Sequence, residues 1–479
     1  MAPRGSPVPG SPAQRRDGRG RGGGVSACRR GRGAAAVGQC RPVRPRVRAG
    51  PLPRSTHRAP RPLAVGVLRR AGSELILTLP TDSIPARGLA CLALVLAGCS
   101  SGSVPAQSSG RPSHNPSTGA SPTALTSPSS PAPSPGTPAA LVPSSDGRLP
   151  GLEPAAMYSG DPPQTTGLDP ARLRVLVVTG DLIPARLTQH ALRRLGDWTY
   201  PFAATRSLLE SGDLSVVDLE APLIPNCPDL TSGFQFCGDP RIAGAMVGAG
   251  IGIANVANNH ISNYGQQGIA ETQQLLISKG ISVSGLGRIA VRDMRGLKVA
   301  VIGMNLVGAR FDQAQLRDQV AQARAQADIV AVQFHWGREY ETFPFSAPGL
   351  ADDDPRTVGR ITVDAGADLV IGNHPHCVQA GEVYRGRLIT YAHGNFLFDQ
   401  DWSVGTQESV VGRYYFYDTT LVGVQYVPLR IHDNAQPQPL DPHAGEGQQI
   451  LDRMLHSARM LLGQDPLVYD GPGRNDACP

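Results

Sequence analysis

From Arg174 to about Gly463, short β-branched and apolar runs alternate with helix-length segments, and this alternation most restricts the possible fold. Such a pattern is typical of α/β domains, in which strands and helices pack as layers. The predicted strands are Val175–Thr179, Leu214–Leu219, Ile253–Ala257, Lys298–Met304, Ile329–Phe334, Leu369–Ile371, Leu388–Tyr391 and Leu421–Val427. Helical spacing of apolar residues predicts helices over Leu187–Leu195, Ala203–Ser211, Gly268–Lys279, Gln315–Ala327 and residues 450–462. The sequence therefore predicts one α/β domain over residues 173–464, followed by a loose tail at 465–479.

Polar side chains of the kinds that bind metal ions follow five of these strands. They are Asp181, Glu220, Asn258–His260, His335 and Asn373–His376. Ligand crevices in α/β sheets form at the carboxyl ends of strands. Each cluster alone is weak evidence, because Gly-Asp is a common turn and a single His is often a core residue, but together they predict one shared polar site. None of the clusters contains Cys, so one or two ions of Mn²⁺, Zn²⁺ or Fe are expected.

The same residues carry a family resemblance. The segments Gly180–Arg186, Leu219–Leu223, Ala257–Gly265, His335–Tyr340, Ile371–His376 and Gly394–Phe396 resemble, in order, the motifs of the CapA family. The resemblance covers about Leu173 to Phe398. That family is linked to poly-γ-glutamate capsule biosynthesis and is related to calcineurin-like metallophosphoesterases. The resemblance therefore implies a four-layer α/β/β/α sandwich and a surface-exposed, membrane-tethered role.

Carried over to this chain, the resemblance implies roles for single side chains. Asp181 and His376 would bind a first metal, Asn259, His335 and His374 would bind a second, and Glu220 would bridge the two. His260 would lie beside the substrate as a general acid or electrostatic stabiliser.

Two further side chains each keep two interpretations. Arg186 either pairs with an anionic group of the substrate or is an ordinary solvated arginine. Glu339, four residues after His335, either orients an imidazole or is a surface charge.

Three positions depart from the family pattern. Ile183 stands where a phosphoesterase usually has a His ligand, so the first metal site is expected to be weak or empty. Asn263 replaces the usual Asp of the family. His393 occupies a position that is more often apolar, and it either adds a ligand or an acid or merely faces the crevice. These differences affect hydrolytic competence more than the fold.

The first 98 residues contain 18 Arg, no Lys and only three acidic residues. A basic block can bind nucleic acid, but no base-stacking surface or binding motif accompanies this one, so no nucleic-acid partner is expected. A stretch of Arg, Gly and Pro buries too little apolar area to offset the entropy cost of folding. Residues 1–80 are therefore expected to be disordered.

Residues 81–99 have the layout of an export signal. Arg87 precedes the apolar run 88–97, which is too short to cross a bilayer but suits a signal peptide. Leu96–Cys99 resembles the lipobox of bacterial lipoproteins, in which the Cys is acylated; the alternative is a buried strand that ends in an ordinary Cys. We expect an exported protein that is lipid-anchored through Cys99 to the outer face of the cell membrane. Because signal peptides begin close to the protein start, translation is expected to begin downstream of Met1.

Residues 100–172 are assigned to a linker, because residues 100–150 are rich in Ser, Pro and Thr. Cys227 and Cys237 flank a turn-rich loop, and in an oxidising compartment we expect a disulfide between them, with two free thiols as the alternative. Cys377 is interpreted as a small buried hydrophobe.

Three functions remain open. The first is a CapA-like part in the synthesis, export or anchoring of an anionic, polyglutamate-type envelope polymer, with capsule-synthesis membrane proteins as partners. The second is an extracytoplasmic metal-dependent phosphoesterase or other ester hydrolase. The third is a binding protein whose crevice holds polymer without chemistry. The resemblance favours the first, and nothing in the composition identifies polyglutamate as the substrate.

Overall fold

A computed structural model of the chain describes residues 137–344 and 354–465. The predicted disordered stretch at 1–80, the signal peptide with Cys99, the linker up to residue 136 and the tail from residue 466 lie outside the described residues and stay predictions. Within the described ranges, no helix has the length and apolar character needed to cross a membrane.

The strands of the described residues are β1 (Leu173–Leu182), β2 (Leu214–Leu219), β3 (Ile251–Asn255), β4 (Ser282–Ser284), β5 (Ile289–Met294), β6 (Leu297–Asn305), β7 (Ile329–His335), β8 (Leu369–Asn373), β9 (Val378–Tyr384), β10 (Arg387–His393), β11 (Asn395–Leu397), β12 (Glu408–Tyr417), β13 (Thr420–His432) and β14 (Gln436–Pro439). The α-helices are α1 (Pro154–Met157), α2 (Arg186–Leu195), α3 (Arg206–Leu209), α4 (Arg241–Gly248), α5 (Gly265–Ser278), α6 (Gln313–Arg324), α7 (Pro355–Asp364) and α8 (Gly445–Leu461). Short 3₁₀ turns lie at Ala139–Leu141, Pro170–Arg172 and Tyr200–Phe202.

Local sequence signals explain where several helices begin and end. The Asp312 carboxylate accepts hydrogen bonds from the first backbone N–H groups of α6. Asp354 caps α7 in the same way, and Pro355 occupies its first turn, where a missing N–H is tolerated. Helix α2 ends at Gly196, whose left-handed φ of 70° favours glycine.

The strands form two sheets. The first has the order β14-β13-β12-β1-β2-β3-β4, with β11 also paired to β1. The second has the order β5-β6-β7-β8-β10-β9. Each sheet has a group of parallel strands with antiparallel strands beside it. The parallel strands are β1 to β4 in the first sheet and β6, β7, β8 and β10 in the second. The parallel centres align the carboxyl ends of the strands that carry the candidate site.

Neighbouring residues of β2 show how the layers form. Val216 lies in a core shared with strands of the second sheet, such as β7, whereas Val217 lies in a core with residues of α4 and α5. Successive side chains of a strand point to opposite faces, so both are buried only when each face is covered. Helices α6 and α7 pack against the second sheet. The predicted four-layer α/β/β/α sandwich is confirmed.

The predicted strands and helices all overlap observed elements, with shifts at their ends. Strands β4, β5, β9, β11, β12 and β14 and helices α1, α4 and α7 were not predicted.

Part of the predicted linker at 100–172 packs against the domain. Leu152, Met157 and Tyr158 are buried in the main core. Tyr158 stacks on Tyr426 of β13, with the ring centroids 5.4 Å apart. The boundary at 173 was therefore placed too late, because these apolar residues stand among Gly, Pro and Ser.

Candidate metal centre

The two sheets meet at the carboxyl ends of their parallel strands. Asp181 and Asp218 are register partners on β1 and β2, and His335 and Asn373 are partners on β7 and β8. Two hydrogen bonds join the sheets here: Asn373 Nδ2 donates to Asp181 Oδ1 at 2.8 Å, and His335 Nδ1 lies 3.0 Å from Asp218 Oδ2. All four side chains are buried. The fold therefore assembles one polar cluster from strands distant in sequence.

Three other potential ligand atoms surround His335 Nε2. It lies 2.8 Å from Asn259 Oδ1, 3.2 Å from His374 Nδ1 and 3.3 Å from Glu220 Oε1. Because His335 Nδ1 faces a carboxylate, Nδ1 carries its hydrogen, and in the neutral ring Nε2 turns a lone pair toward these acceptors. Facing lone pairs repel one another unless a cation or a proton lies among them. These are the residues that the resemblance assigns to the second metal and its bridging ligand.

A second convergence lies around His376 Nδ1. It is 3.1 Å from Asp181 Oδ2 and 2.9 Å from Asn395 Oδ1. Asn395 is held by its own amide, whose Nδ2 donates to Thr406 O at 2.9 Å and to Gln400 Oε1 at 3.1 Å. Asp181 and His376 are the residues that the resemblance assigns to the first metal.

Ligand atoms within 4.8 Å of one another form two overlapping groups. Asp181, Asp218, Glu220 and His335 make up the first group, and Glu220, His374 and His376 make up the second. Glu220 belongs to both, which suits a bridging carboxylate. This grouping of the histidines differs from the metal assignment that the resemblance implies, because His335 lies in one group with Asp181 and His374 lies in the other group with His376.

The donor set fits a divalent cation. Glu220 is fully buried, and within the described ranges neither of its carboxylate oxygens forms a hydrogen bond, nor does His374 Nε2. Burying a charged carboxylate without compensation costs several kcal/mol. A bound cation would supply the missing partner for both groups. Oxygen and imidazole donors suit Mn²⁺, Zn²⁺ or Fe.

Protonation follows the same arrangement. Burial alone would lower the pKa of His335, but the carboxylates of Glu220 and Asp218 outweigh it and raise that pKa well above its ordinary value. Burial also opposes protonation of His376, yet Glu220 and Asp181 raise its pKa to about 9. His374 differs, because burial and the neighbouring His335 and His376 hold its pKa well below the usual range. Without metal, protons therefore occupy two of the positions that a cation would take.

The backbone at the end of β8 is strained. His374 has a φ of 98° and His376 a φ of 59°, a left-handed region that non-glycine residues seldom adopt. Strain of this kind persists where the surroundings fix it, most often at functional sites. The left-handed turns on either side of Pro375 accompany the placement of both imidazoles in the cluster.

His260 lies at the edge of the cluster. Its Nε2 is 3.9 Å from Glu220 Oε1, and its side chain is 12% exposed. Burial lowers the pKa of His260. This is a position from which an imidazole can reach both the cluster and an entering ligand.

Arg186 has partners on this chain. Its guanidinium pairs with Asp399 and donates to Gly233 O at 3.0 Å. It also lies over the rings of Phe236 and Phe398, 5.0 and 4.6 Å from their centroids. A substrate anion would have to share this guanidinium with Asp399, and contact with substrate stays a prediction.

The other open positions now have locations. Glu339 is half-buried. Burial lowers the pKa of His376, Glu220 and Asp181 raise it, and the charge of Glu339 adds a smaller upward effect. Ile183 packs with Phe236 and Phe398 in a small apolar cluster, so it supplies no ligand. His393 is buried, and its Nε2 lies 2.8 Å from the Tyr414 hydroxyl.

Two residues of the cluster, Asp218 and Asn395, were not among the predicted site residues. Asp218 stands in the buried strand β2, and Asn255 Nδ2 donates to its Oδ1 at 2.8 Å. A carboxylate in an otherwise apolar run was the available signal, because fully buried Asp is rare unless it is paired. For Asn395, the Gly-Asn-Phe motif was noted, but its place beside His376 depends on the pairing of β11 with β1.

The cysteines lie as follows. Cys227 and Cys237 form a disulfide. Cys377 is buried, as expected, but it is disulfide-bonded, which corrects its interpretation as a simple small hydrophobe.

Comparisons with known proteins match the part of the chain that carries the cluster. A family model described as "Bacterial capsule synthesis protein PGA_cap" matches residues 175–400, the range that contains the whole cluster. The capsule biosynthesis protein CapA of Bacillus anthracis is 28% identical over 55% of this chain and 69% of its own length. The PGA biosynthesis protein CapA of Bacillus subtilis is 31% identical over 39% of this chain and 53% of its own length. A protein named "probable polyglutamine synthesis accessory protein" from Mycobacterium tuberculosis is 25% identical over 49% of this chain and 71% of its own length.

The chain thus spans about half the length of the Bacillus subtilis relative and somewhat over two thirds of the other two. The family match and the curated relatives cover the domain that carries the cluster. The domain at residues 175–400 belongs to the CapA family of bacterial capsule synthesis proteins.

Proposed function

We propose that this protein is exported, is lipid-anchored through Cys99, and takes part in the synthesis, export or anchoring of a polyglutamate-type polymer of the cell envelope. Family membership supports a role in a capsule polymer pathway. The apolar run and lipobox-like residues that precede Cys99 support the location. Capsule-synthesis membrane proteins are the expected partners, since an anchored domain would work beside them.

The observation that carries a chemical role concerns the Glu220 carboxylate, which is buried where the donor atoms converge and forms no hydrogen bond to any residue that the structure describes. One or two divalent ions would be held by Asp181, Asp218, Glu220, Asn259, His335, His374 and His376. Asn395 lies beside His376. Such ions, when bound, act as Lewis acids on an ester, amide or phosphoryl oxygen. Asp218 fixes the ring of His335 through Nδ1, and Asn395 orients His376. His260 faces the same centre with Nε2.

A deletion strain of the source bacterium tests the proposal. It would be complemented with the wild-type chain, with Glu220→Gln, or with Glu210→Gln, which changes an exposed glutamate on the far end of α3. Glutamate polymer in purified cell envelopes would be measured by amino-acid analysis after acid hydrolysis. We expect loss of polymer in the deletion strain, recovery with wild type and Glu210→Gln, and no recovery with Glu220→Gln. Unchanged polymer in the deletion strain would refute the role.

His260 supports a second candidate, a metal-dependent ester hydrolase. It is an ionisable side chain that is partly exposed and within 4 Å of the shared carboxylate, as a group acting on substrate should be. Metal-loaded protein that hydrolyses an aryl phosphate would support this candidate, provided that His260→Gln abolishes the turnover and leaves the metal content unchanged. Retention of polyglutamate by metal-free protein without turnover would instead indicate a binding protein.

A further inference from the structure

The loop between Cys227 and Cys237 lies against the candidate catalytic histidine. Its base is joined to the chain that follows Glu220, because Gly238 N donates to Pro222 O at 2.9 Å and Ile224 N donates to Gly238 O at 3.1 Å. The disulfide closes the loop at the same place. Both ends of the loop are therefore fixed beside the metal cluster.

Phe236, the residue before Cys237, contacts His260 directly. The two rings stack with their centroids 4.0 Å apart and their planes 28° from parallel. Phe236 is almost fully buried and also packs edge-on against Phe398, with the centroids 5.4 Å apart. The imidazole of His260 therefore rests on a ring that cannot readily move.

Asn263 joins the loop to His260. Its Oδ1 accepts a hydrogen bond from the backbone N–H of Phe236 at 2.6 Å and lies 3.0 Å from His260 Nδ1. The backbone N–H of Phe236 can only donate a hydrogen bond, so the side-chain atom of Asn263 that faces it is the amide oxygen. Since that oxygen is an acceptor, His260 Nδ1 must carry a hydrogen to bond to it.

We infer that Phe236 and Asn263 are positioning residues, which hold His260 with its hydrogen on Nδ1 and its Nε2 turned toward the metal cluster. Nε2 is then the nitrogen that exchanges hydrogen bonds or protons with a ligand, and the neutral ring presents it as an acceptor. The family usually has Asp where this chain has Asn263; a neutral amide fixes the same tautomer without placing a negative charge beside the ring. The inference deepens the proposed function, because it concerns the side chain assigned to substrate there.

Nitrogen-15 NMR of the full chain, labelled at histidine, tests the tautomer directly. The protein would be studied after EDTA treatment and again after loading with Zn²⁺, and the His260 signals would be assigned by their loss in His260→Gln. We expect a pyrrole-type signal for Nδ1 and a pyridine-type signal for Nε2. The reverse pattern, with the hydrogen on Nε2, would overturn the inference, and only the folded His260→Gln variant is needed to assign the signals.

Three variants test the named contacts. Asn263→Ala removes the acceptor and should convert the spectrum to a mixture of tautomers, whereas Asn263→Asp keeps an acceptor and should preserve the Nδ1–H form. Phe236→Ala should broaden or shift the His260 signals, and Phe234→Ala, two residues away and 76% exposed, is the matched control that should leave them unchanged. An Nδ1–H form that persists in folded Asn263→Ala would contradict the assignment. Because no substrate is needed, the outcome is independent of whether the proposed polymer function is right.

Discussion

Replacing Glu220 by Gln should remove most of the bound metal and leave the fold intact. Glu220 is the residue shared by both donor groups, and among the described residues its oxygens form no hydrogen bond. Without metal, its charge stabilises the protonated rings of His335 and His376, so we expect the free energy of unfolding of the metal-free variant to fall by about 1–3 kcal/mol.

With metal, the effect should be large. Two divalent ions about 4 Å apart repel each other by about 17 kcal/mol at an effective dielectric constant of about 20, and the bridging carboxylate is the anion that offsets this for both. Changing residues that merely support ligands typically weakens metal binding about 10- to 100-fold, so loss of a shared ligand should weaken it at least about 100-fold. At a free metal concentration about 1,000 times the wild-type Kd, binding stabilises the wild type by about 4 kcal/mol. The variant, at about 10 times its own Kd, would gain only about 1.4 kcal/mol.

The assay has two readouts. Elemental analysis after desalting gives the metal-to-protein ratio, and urea unfolding with and without metal gives the difference in stabilisation, expected to be about 2.7 kcal/mol. Glu210→Gln is the control, because its side chain is exposed and pairs with Arg206 four residues earlier, a surface pair that contributes little to stability. His376→Ala should lose less metal than Glu220→Gln, and His260→Ala should lose least. Equal metal content in all three folded variants would refute the proposed ligand set.

Three further expectations follow from the structure and the sequence. Metal affinity should rise at least about tenfold per pH unit between pH 6 and 8, because the pKa of His376 is about 9 without metal and its proton must leave before a cation binds. Metal titrations at several pH values check this expectation. An affinity that does not change with pH would contradict it. Glu382→Gln should destabilise the domain by about 2–3 kcal/mol in urea unfolding, because the buried carboxylate pairs with Arg356 and Arg360. Burial raises the pKa of Glu382, but those arginines outweigh it and lower that pKa. The contribution of Glu382 to stability is therefore present above the ordinary carboxyl pKa and is lost as the pH falls below it. If the substitution left the free energy of unfolding at acidic pH unchanged, this assignment would be wrong. Cys99→Ala should abolish partitioning into detergent, because acyl chains provide membrane retention, and unchanged partitioning would rule the anchor out.

The sequence was sufficient for the layers of the fold and for most of the cluster, since both depend on local patterns. Val216 and Val217 belong to an apolar run long enough to mark a strand. The polar residues at or just after the carboxyl ends of β1, β2, β3, β7 and β8 were predicted from their positions alone. Strand β12 was missed although its run of Tyr and Phe favours a strand, and α7 was missed although Asp354 and Pro355 form a standard helix start.

What the sequence did not reveal depends on contacts between distant segments. Asp218 becomes part of the centre only because β7 of the other sheet brings His335 to within 3.0 Å of it. The left-handed turns at His374 and His376 are imposed by the surroundings, and no local propensity favours them at histidine. The partnership of Arg186 with Asp399 joins residues 213 positions apart, which no spacing rule would suggest.

The central claim is that the two sheets together hold divalent metal at Glu220. Crystals of the protein grown with Mn²⁺ or Zn²⁺, with diffraction recorded at the absorption edge of the metal, would locate the ion directly. We expect one or two anomalous peaks at about 2.0–2.3 Å from a Glu220 oxygen and from imidazole nitrogens of His335, His374 or His376. Absence of any peak at this cluster, with ions bound elsewhere on the protein, would contradict the account.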